Sequence, residues 1–289
     1  MVIDAKYKSL FIFPAVIVLV VTAIASLVMV AISTDARLAW IGALLAALPL
    51  PMLIVSLTVR PSPRTSENLP LLTFIGAVGV MLAFWEQFIE ANSGWQPTAT
   101  AAFAGALFLM YLLWYSRFGR FDSAQLMVGS KLPAFSLKDT AGKAFDSSSL
   151  TGSPAVVLFY RGNWCPLCMA QIREIAAKYQ EMDAMGIKVV LISPQSEEYS
   201  RELAARFEVP FVVLVDEGNQ VAQSLGIAVS NGVPVGVPGN YDPDTVMPTL
   251  VVTNENGTIL FSDQTDNYRV RPEPDIFLAI LRRAGVRPK

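Results

Sequence analysis

Histidine is absent from this 289-residue sequence. With it go the usual proton shuttle near neutral pH, Ser–His and Cys–His nucleophilic pairs, and most zinc and haem ligand sets. Cysteine is scarce, with Cys165 and Cys168 the only two. Two thiols cannot staple a small secreted domain, and they supply half of a four-ligand zinc site. Neither a metal nor a bound cofactor is expected. Charge is scarce as well. Asp, Glu, Lys and Arg make up 16% of the residues, the formal net charge is −2, and no basic stripe occurs. Nucleic acid is therefore not an expected partner.

Apolar residues take the place of charge, at 53% of the chain, and the excess lies before residue 117. Leu10–Ile32, Leu38–Val59, Pro70–Phe88 and Thr98–Tyr115 are long apolar runs, the second interrupted by Pro49 and Pro51. Each is long enough to cross a hydrocarbon core of about 30 Å. The first is too long for a signal-peptide core, and three similar runs follow it. Trp40, Trp85, Trp95, Trp114 and Tyr115 sit near the ends of the runs, where interfacial aromatics belong. Glu86 and Glu90, one helical turn apart, read as the headgroup end of the third run. A helical transmembrane bundle of four spans is expected over 1–116, then an amphipathic connector over 117–130 that rides on the membrane surface. Lys6, Lys8, Arg60, Arg64, Arg117 and Arg120 fall on one side of such a bundle and only Arg37 on the other. The positive-inside rule then places both termini in the cytoplasm, for a multi-pass protein of a bacterial inner membrane.

Residues 131–289 read as an α/β domain. A short hairpin is expected around Asp139–Gly142, and buried strands over Ala155–Tyr160, Lys188–Ser193 and Phe211–Val215. One helix is expected over Leu167–Met185, with others at Glu197–Phe207, Gln220–Leu225 and Pro274–Ala284. Ala228–Asp244 reads as a loop, and a hairpin turns at Asn254–Gly257. Both cysteines lie in Tyr160-Arg161-Gly162-Asn163-Trp164-Cys165-Pro166-Leu167-Cys168, between a buried strand and a helix. A thiol there faces the positive end of the helix, which favours thiolate. Pro166 suits a first helical turn. Reversible dithiol–disulfide chemistry is the implied use of such a pair. Arg161 is placed to lower a thiolate pKa through its charge, and Trp164 reads as a wall of the site. Arg173, Glu174 and Lys178 read as a solvated helix face with a favourable i,i+4 pair.

Three features together resemble a known family. They are the opening Val128-Gly129-Ser130-Lys131-Leu132-Pro133-Ala134-Phe135-Ser136-Leu137, the Leu150-Thr151-Gly152 turn before the strand and Trp-Cys-x-x-Cys, and Met247-Pro248-Thr249. The stretch from about Val128 to Val286 is similar to the peroxiredoxin-like branch (alkyl hydroperoxide reductase and thiol-specific antioxidant) of the thioredoxin-like superfamily. The resemblance implies a thioredoxin-like fold, with Pro248 as a cis-proline facing the site beside Thr249. It leaves the two thiols open. The thioredoxin alignment makes Cys165 the exposed attacking thiol and Cys168 the resolving one. The peroxiredoxin alignment puts Cys168 at the peroxidatic place. The family's peroxide-orienting arginine is expected close to Pro248; none stands there, and Arg161 and Arg269 are the substitutes on offer.

The expected function is that of a membrane-anchored thiol–disulfide oxidoreductase. Cys165 attacks, Cys168 resolves, and thioredoxin or a small thiol supplies electrons. One alternative is a thiol-dependent peroxidase acting on hydroperoxides, including those of lipids, with Cys168 oxidised first. Another is a membrane redox sensor or scaffold.

Overall fold

The structure, a computed structural model, describes residues 5–90, 94–207 and 209–287. The chain divides into two units. Leu10–Pro61 and Thr65–Arg117 form an apolar unit, while the helix start through Ser9, the short Ser62–Arg64 segment and everything from Phe118 onward form a thiol unit.

The apolar runs fold as helices, in which each backbone N–H bonds to a carbonyl of the same segment. They are α1 (Ala5–Ile32), α2 (Arg37–Ala47), α3 (Pro49–Val59), α4 (Pro70–Trp85) and α5 (Trp95–Met110). Proline lacks the N–H needed inside a helix, and the second run bends by 43° between α2 and α3 at Leu48-Pro49. The helices α4 and α5 each continue into a π turn, Glu86–Glu90 and Tyr111–Tyr115. By length and apolarity three helices suit a membrane crossing, or up to four if the bent α2–α3 pair counts as one. Small residues set the packing. A Cβ on Gly42 would fall 2.5 Å from the Gly79 carbonyl oxygen, and one on Gly79 would meet the backbone of Ala46, so α2 and α4 touch backbone to backbone. Glu86 is buried, and its carboxylate accepts the backbone N–H of Ala39 in the first turn of α2. It satisfies an N–H of the first helical turn that has no partner within the helix. The side chain of Glu90 lies outside the described residues.

The thiol unit is built on a seven-stranded sheet of order β2-β1-β5-β4-β3-β8-β9. Its strands are β1 (Ser136–Asp139), β2 (Ala144–Asp146), β3 (Ala155–Phe159), β4 (Lys188–Ser193), β5 (Val212–Val215), β8 (Thr249–Thr253) and β9 (Ile259–Asp263). The central β3, β4 and β5 are parallel and the flanking pairs antiparallel. Every residue of β3 and β8 is buried, as continuous apolar strands covered on both faces must be. The expected helix over Leu167–Met185 is two, α6 (Pro166–Ala177) and α7 (Tyr179–Ala184), because Lys178 leaves helical geometry at φ −98°, ψ 5°. Then come α8 (Glu197–Arg206) and α9 (Gln220–Ser224). The expected loop over Ala228–Asp244 opens with a strand, β6 (Ala228–Val229), which pairs with β7 (Thr245–Val246) just past its end. The last helix, α10 (Pro274–Arg283), follows β9.

From Phe118 onward, the residues of the expected connector belong to this unit. Phe118 is buried, its N–H donates to the Asp266 carbonyl at 3.0 Å, and Arg120 reaches the Pro248 carbonyl. The start of α1 also belongs here: Ala5 joins the core, and the Ser9 carbonyl accepts the Val235 N–H at 2.9 Å.

Candidate active site

The fully buried β3 runs into an irregular turn, Tyr160–Trp164, and then into α6. Gly162 at φ 143° holds a backbone that L side chains rarely adopt, and the Trp164 indole folds to within 2.7 Å of where a Cβ would stand. Cys165 is the N-cap of α6, and its Sγ accepts the Cys168 N–H at 3.3 Å. Pro166 follows at the first helical position. Cys168, one turn further on, faces back into the unit.

The expectation of an exposed Cys165 is overturned: it is 2% exposed and Cys168 is 0% exposed. Both are free thiols. Burial raises the Cys165 thiol, and the hydrogen bond it donates to Cys168 and that neighbour's charge raise it further; the opposing pulls of Arg271 and Arg161 are smaller. Burial alone would raise Cys168 too. It is outweighed by the hydrogen bond from Cys165, the Arg271 charge, and a backbone hydrogen bond and charge from Arg161, which bring Cys168 down to about 5. The positive charge beside the pair thus favours thiolate at Cys168 over Cys165.

An arginine does lie near Pro248 in space: Arg271, in the irregular segment between β9 and α10, lines the same cavity as Pro248. Its guanidinium lies 3.6 Å and 3.5 Å from Cys168 Sγ through Nη1 and Nη2. It is buried, and it also donates to Gln171 Oε1 at 2.7 Å and, through Nε, to the Tyr268 carbonyl at 3.1 Å. Gln171 lies one turn beyond Cys168 on the same face of α6, so Arg271 bridges two rungs of that face. Arg269 is not among the charges acting on either thiol. Arg161 contributes at longer range. Its guanidinium is stacked over Trp164 at 4.5 Å, with Phe118 and Tyr268 each at 5.8 Å, and Nη2 donates to the Gly232 carbonyl at 2.6 Å. The contact that Trp164 makes is therefore with Arg161.

Pro248 and Thr249 come to the same place. Both line a cavity of about 10 Å3 with Gln171, Tyr268 and Arg271. The expected cis-proline is absent, since no cis peptide bond occurs among the described residues. The Pro248 carbonyl is also taken, by Arg120 Nη1 at 3.2 Å, while Arg120 Nη2 reaches Thr249 Oγ1 at 3.3 Å. The backbone at Pro248 is thus occupied from within the unit. On the other side, Gln195 ties the turn together, donating to Tyr160 Oη at 3.0 Å and accepting the Asn163 N–H at 2.8 Å. No group of three or more metal-ligating acidic or thiol side chains occurs among the described residues.

Comparison with known proteins matches the AhpC/TSA family to residues 128–262. This is an AhpC/TSA-type, peroxiredoxin-like domain. The AhpC/TSA domain accounts for the resemblance carried by Gly129, Pro133 and the Trp-Cys-x-x-Cys turn, and with it the thioredoxin-like α/β fold. Over 104 residues the chain is 36% identical to the chloroplastic peroxiredoxin Q of Sedum lineare, covering 36% of this chain and 56% of that protein. A Haemophilus influenzae relative described as a peroxiredoxin, bcp, is 27% identical over 157 residues, or 54% of this chain and 97% of that one. The chain spans about half the length of the plant relatives it matches. Among solved structures, peroxidoxin BcpB of Mycobacterium tuberculosis superposes on 55% of this chain and 97% of its own, at 22% identity and a TM-score of 0.46.

Proposed function

We propose that this chain is a membrane-anchored thiol peroxidase in which Cys168 is the peroxidatic thiol and Cys165 the resolving one. The observation that carries the reading is the Arg271 guanidinium within 3.6 Å of Cys168 Sγ. A peroxidatic sulfur must be thiolate at working pH, and the leaving oxygen needs positive charge placed in advance where its own charge develops. Arg271 serves both needs at Cys168.

The reaction then runs as follows. The Cys168 thiolate attacks the terminal oxygen of a hydroperoxide. The O–O bond breaks, sulfur is oxidised to sulfenic acid, and the departing alkoxide takes a proton from solvent to leave as an alcohol. The Cys165 sulfur attacks the sulfenic sulfur, its proton leaves with the hydroxyl as water, and the Cys165–Cys168 disulfide closes. Two thiol equivalents from an external reductant of the thioredoxin or small-thiol class restore the dithiol. The chain has no further cysteine, so those electrons come from another molecule.

Membrane anchoring is part of the reading. The apolar helices support it, and so does the connectivity of the units. The chain leaves the thiol unit after Ser9, returns at Ser62–Arg64, leaves again and returns at Phe118. Excursions that start and end on one side of a bilayer cross it an even number of times, which favours counting α2–α3 as one crossing, four in all. Anchoring suits lipid hydroperoxides as the substrate class.

Single-cysteine variants decide the chemistry. Cys165→Ser should still consume one equivalent of hydroperoxide and accumulate sulfenic acid, trapped by dimedone at Cys168. Cys168→Ser should consume none. Peroxide inertness of the wild type, together with disulfide reduction lost in Cys165→Ser, would return the attack to Cys165.

A further inference from the structure

The Arg271 segment is irregular backbone between β9 and α10, yet it must hold a buried guanidinium against one sulfur. Its brace comes from far away in sequence. Arg64, in the Ser62–Arg64 segment, donates through Nε to the Arg271 carbonyl at 3.1 Å and through Nη2 to the Pro272 carbonyl at 3.2 Å. The same guanidinium meets Glu174 on α6 in a two-pronged ion pair, with Nη1 to Oε1 at 3.1 Å and Nη2 to Oε2, and Nη1 lies 3.5 Å from Glu273 Oε1. Glu174 was expected to face solvent and pair with Lys178; instead Lys178 pairs with Asp275 at 2.8 Å. Cys168, Gln171 and Glu174 recur every three residues of α6 and so share one face. Arg271 bridges the first two rungs, and Arg64 ties the third to the backbone that carries Arg271.

We propose that Arg64 is a positioning residue for the thiol site: it fixes the Arg271 segment to α6 and so sets the distance between Arg271 and Cys168. A planar fork with its donors spread over two carbonyls and two carboxylates locks geometry in a way that a point charge does not. Apart from its kinetic arm, the proposal does not rest on the peroxidase reading. The groups facing Cys168 are Arg271, Arg161, the Cys165 thiol and the Tyr160 hydroxyl, and Asp263 faces Arg271. Arg64 is not among the charges acting directly on either thiol.

The test uses the full-length protein in detergent or nanodiscs. Thiolate absorbance is followed against pH in wild type, Arg64→Gln and Arg64→Lys. The Cys168 midpoint should rise by about one pH unit in Arg64→Gln, and by a similar amount in Arg64→Lys, which keeps the charge but loses the fork. The second-order rate with hydroperoxide should fall about twofold at pH 6 and about fivefold at pH 5, and recover towards wild type at pH 9. An unshifted midpoint in Arg64→Gln overturns the proposal. A shift in Arg64→Gln that Arg64→Lys abolishes also overturns it, because charge alone would then suffice. Should Arg64→Gln not fold, Arg64→Lys decides alone: a raised midpoint supports positioning and a wild-type midpoint overturns it. Peroxide inertness of the wild type would defeat the peroxidase reading and leave the titration arm intact.

Discussion

At the scale of single residues, the site separates two chemically identical thiols three positions apart. Burial raises both, so burial cannot distinguish them; the guanidinium of Arg271 and the direction of one S–H hydrogen bond do. Arg271→Gln should therefore move the Cys168 midpoint up from about 5 by about 1–3 units, the usual effect of a close opposite charge, read by alkylation rate against pH. The wild-type rate should be flat above about pH 6 and fall below pH 5. The sign for stability follows. An unfolded thiol, with a pKa of about 8.5, holds its proton where the native thiolate does not. Unfolding in the window between about 5 and 8.5 therefore takes up a proton, and native stability rises with pH across it. Cys168→Ser should flatten that slope. Cys165 and Cys168 were legible in the sequence because spacing, Pro166 and the preceding strand all act locally. Arg271 was not, since 103 residues separate it from Cys168 and its segment has no periodicity. The signal available was the pair Arg269 and Arg271, two positions apart, of which the sequence reading names Arg269.

At the scale of elements, α2 and α4 approach through glycines rather than interlocking side chains. Gly79→Val puts branched carbons where the Gly42 carbonyl and the Ala46 backbone already stand, so the helices must separate. The expected outcome is a lower thermal midpoint of the detergent-solubilised protein. The midpoint of Cys168 should stay unchanged in the molecules that remain folded, since no residue of α2 or α4 acts on the thiols. The helices and central strands were legible from apolar runs and their length. The break at Lys178 was not, because apolar spacing continues through it in Met182 and Met185. The β6–β7 ribbon was missed because two-residue strands carry no pattern, and the π turns because they change the hydrogen-bond register without changing composition.

At the scale of the whole molecule, the proposed four crossings would put Lys6, Lys8, Arg60, Arg64, Arg117 and Arg120 on the cytoplasmic side by the positive-inside rule. Topology can be read with one introduced thiol, because the native pair is buried. Lys143→Cys, at an exposed turn, in a Cys165→Ser/Cys168→Ser background should resist a membrane-impermeant maleimide in intact cells and react after permeabilisation. Ready labelling from outside would reverse the orientation.

The long reach of Arg271 also has a bearing on how the protein is made. Cys168 leaves the ribosome 103 residues ahead of Arg271, which at roughly 5–20 residues per second is an interval of roughly 5–20 s. During that interval the thiol lacks the guanidinium that draws off its proton. Reactivity towards oxidants is thus withheld from the nascent chain and conferred by one of its last loops. A polypeptide stalled or cut before residue 271 would carry both cysteines without that activation.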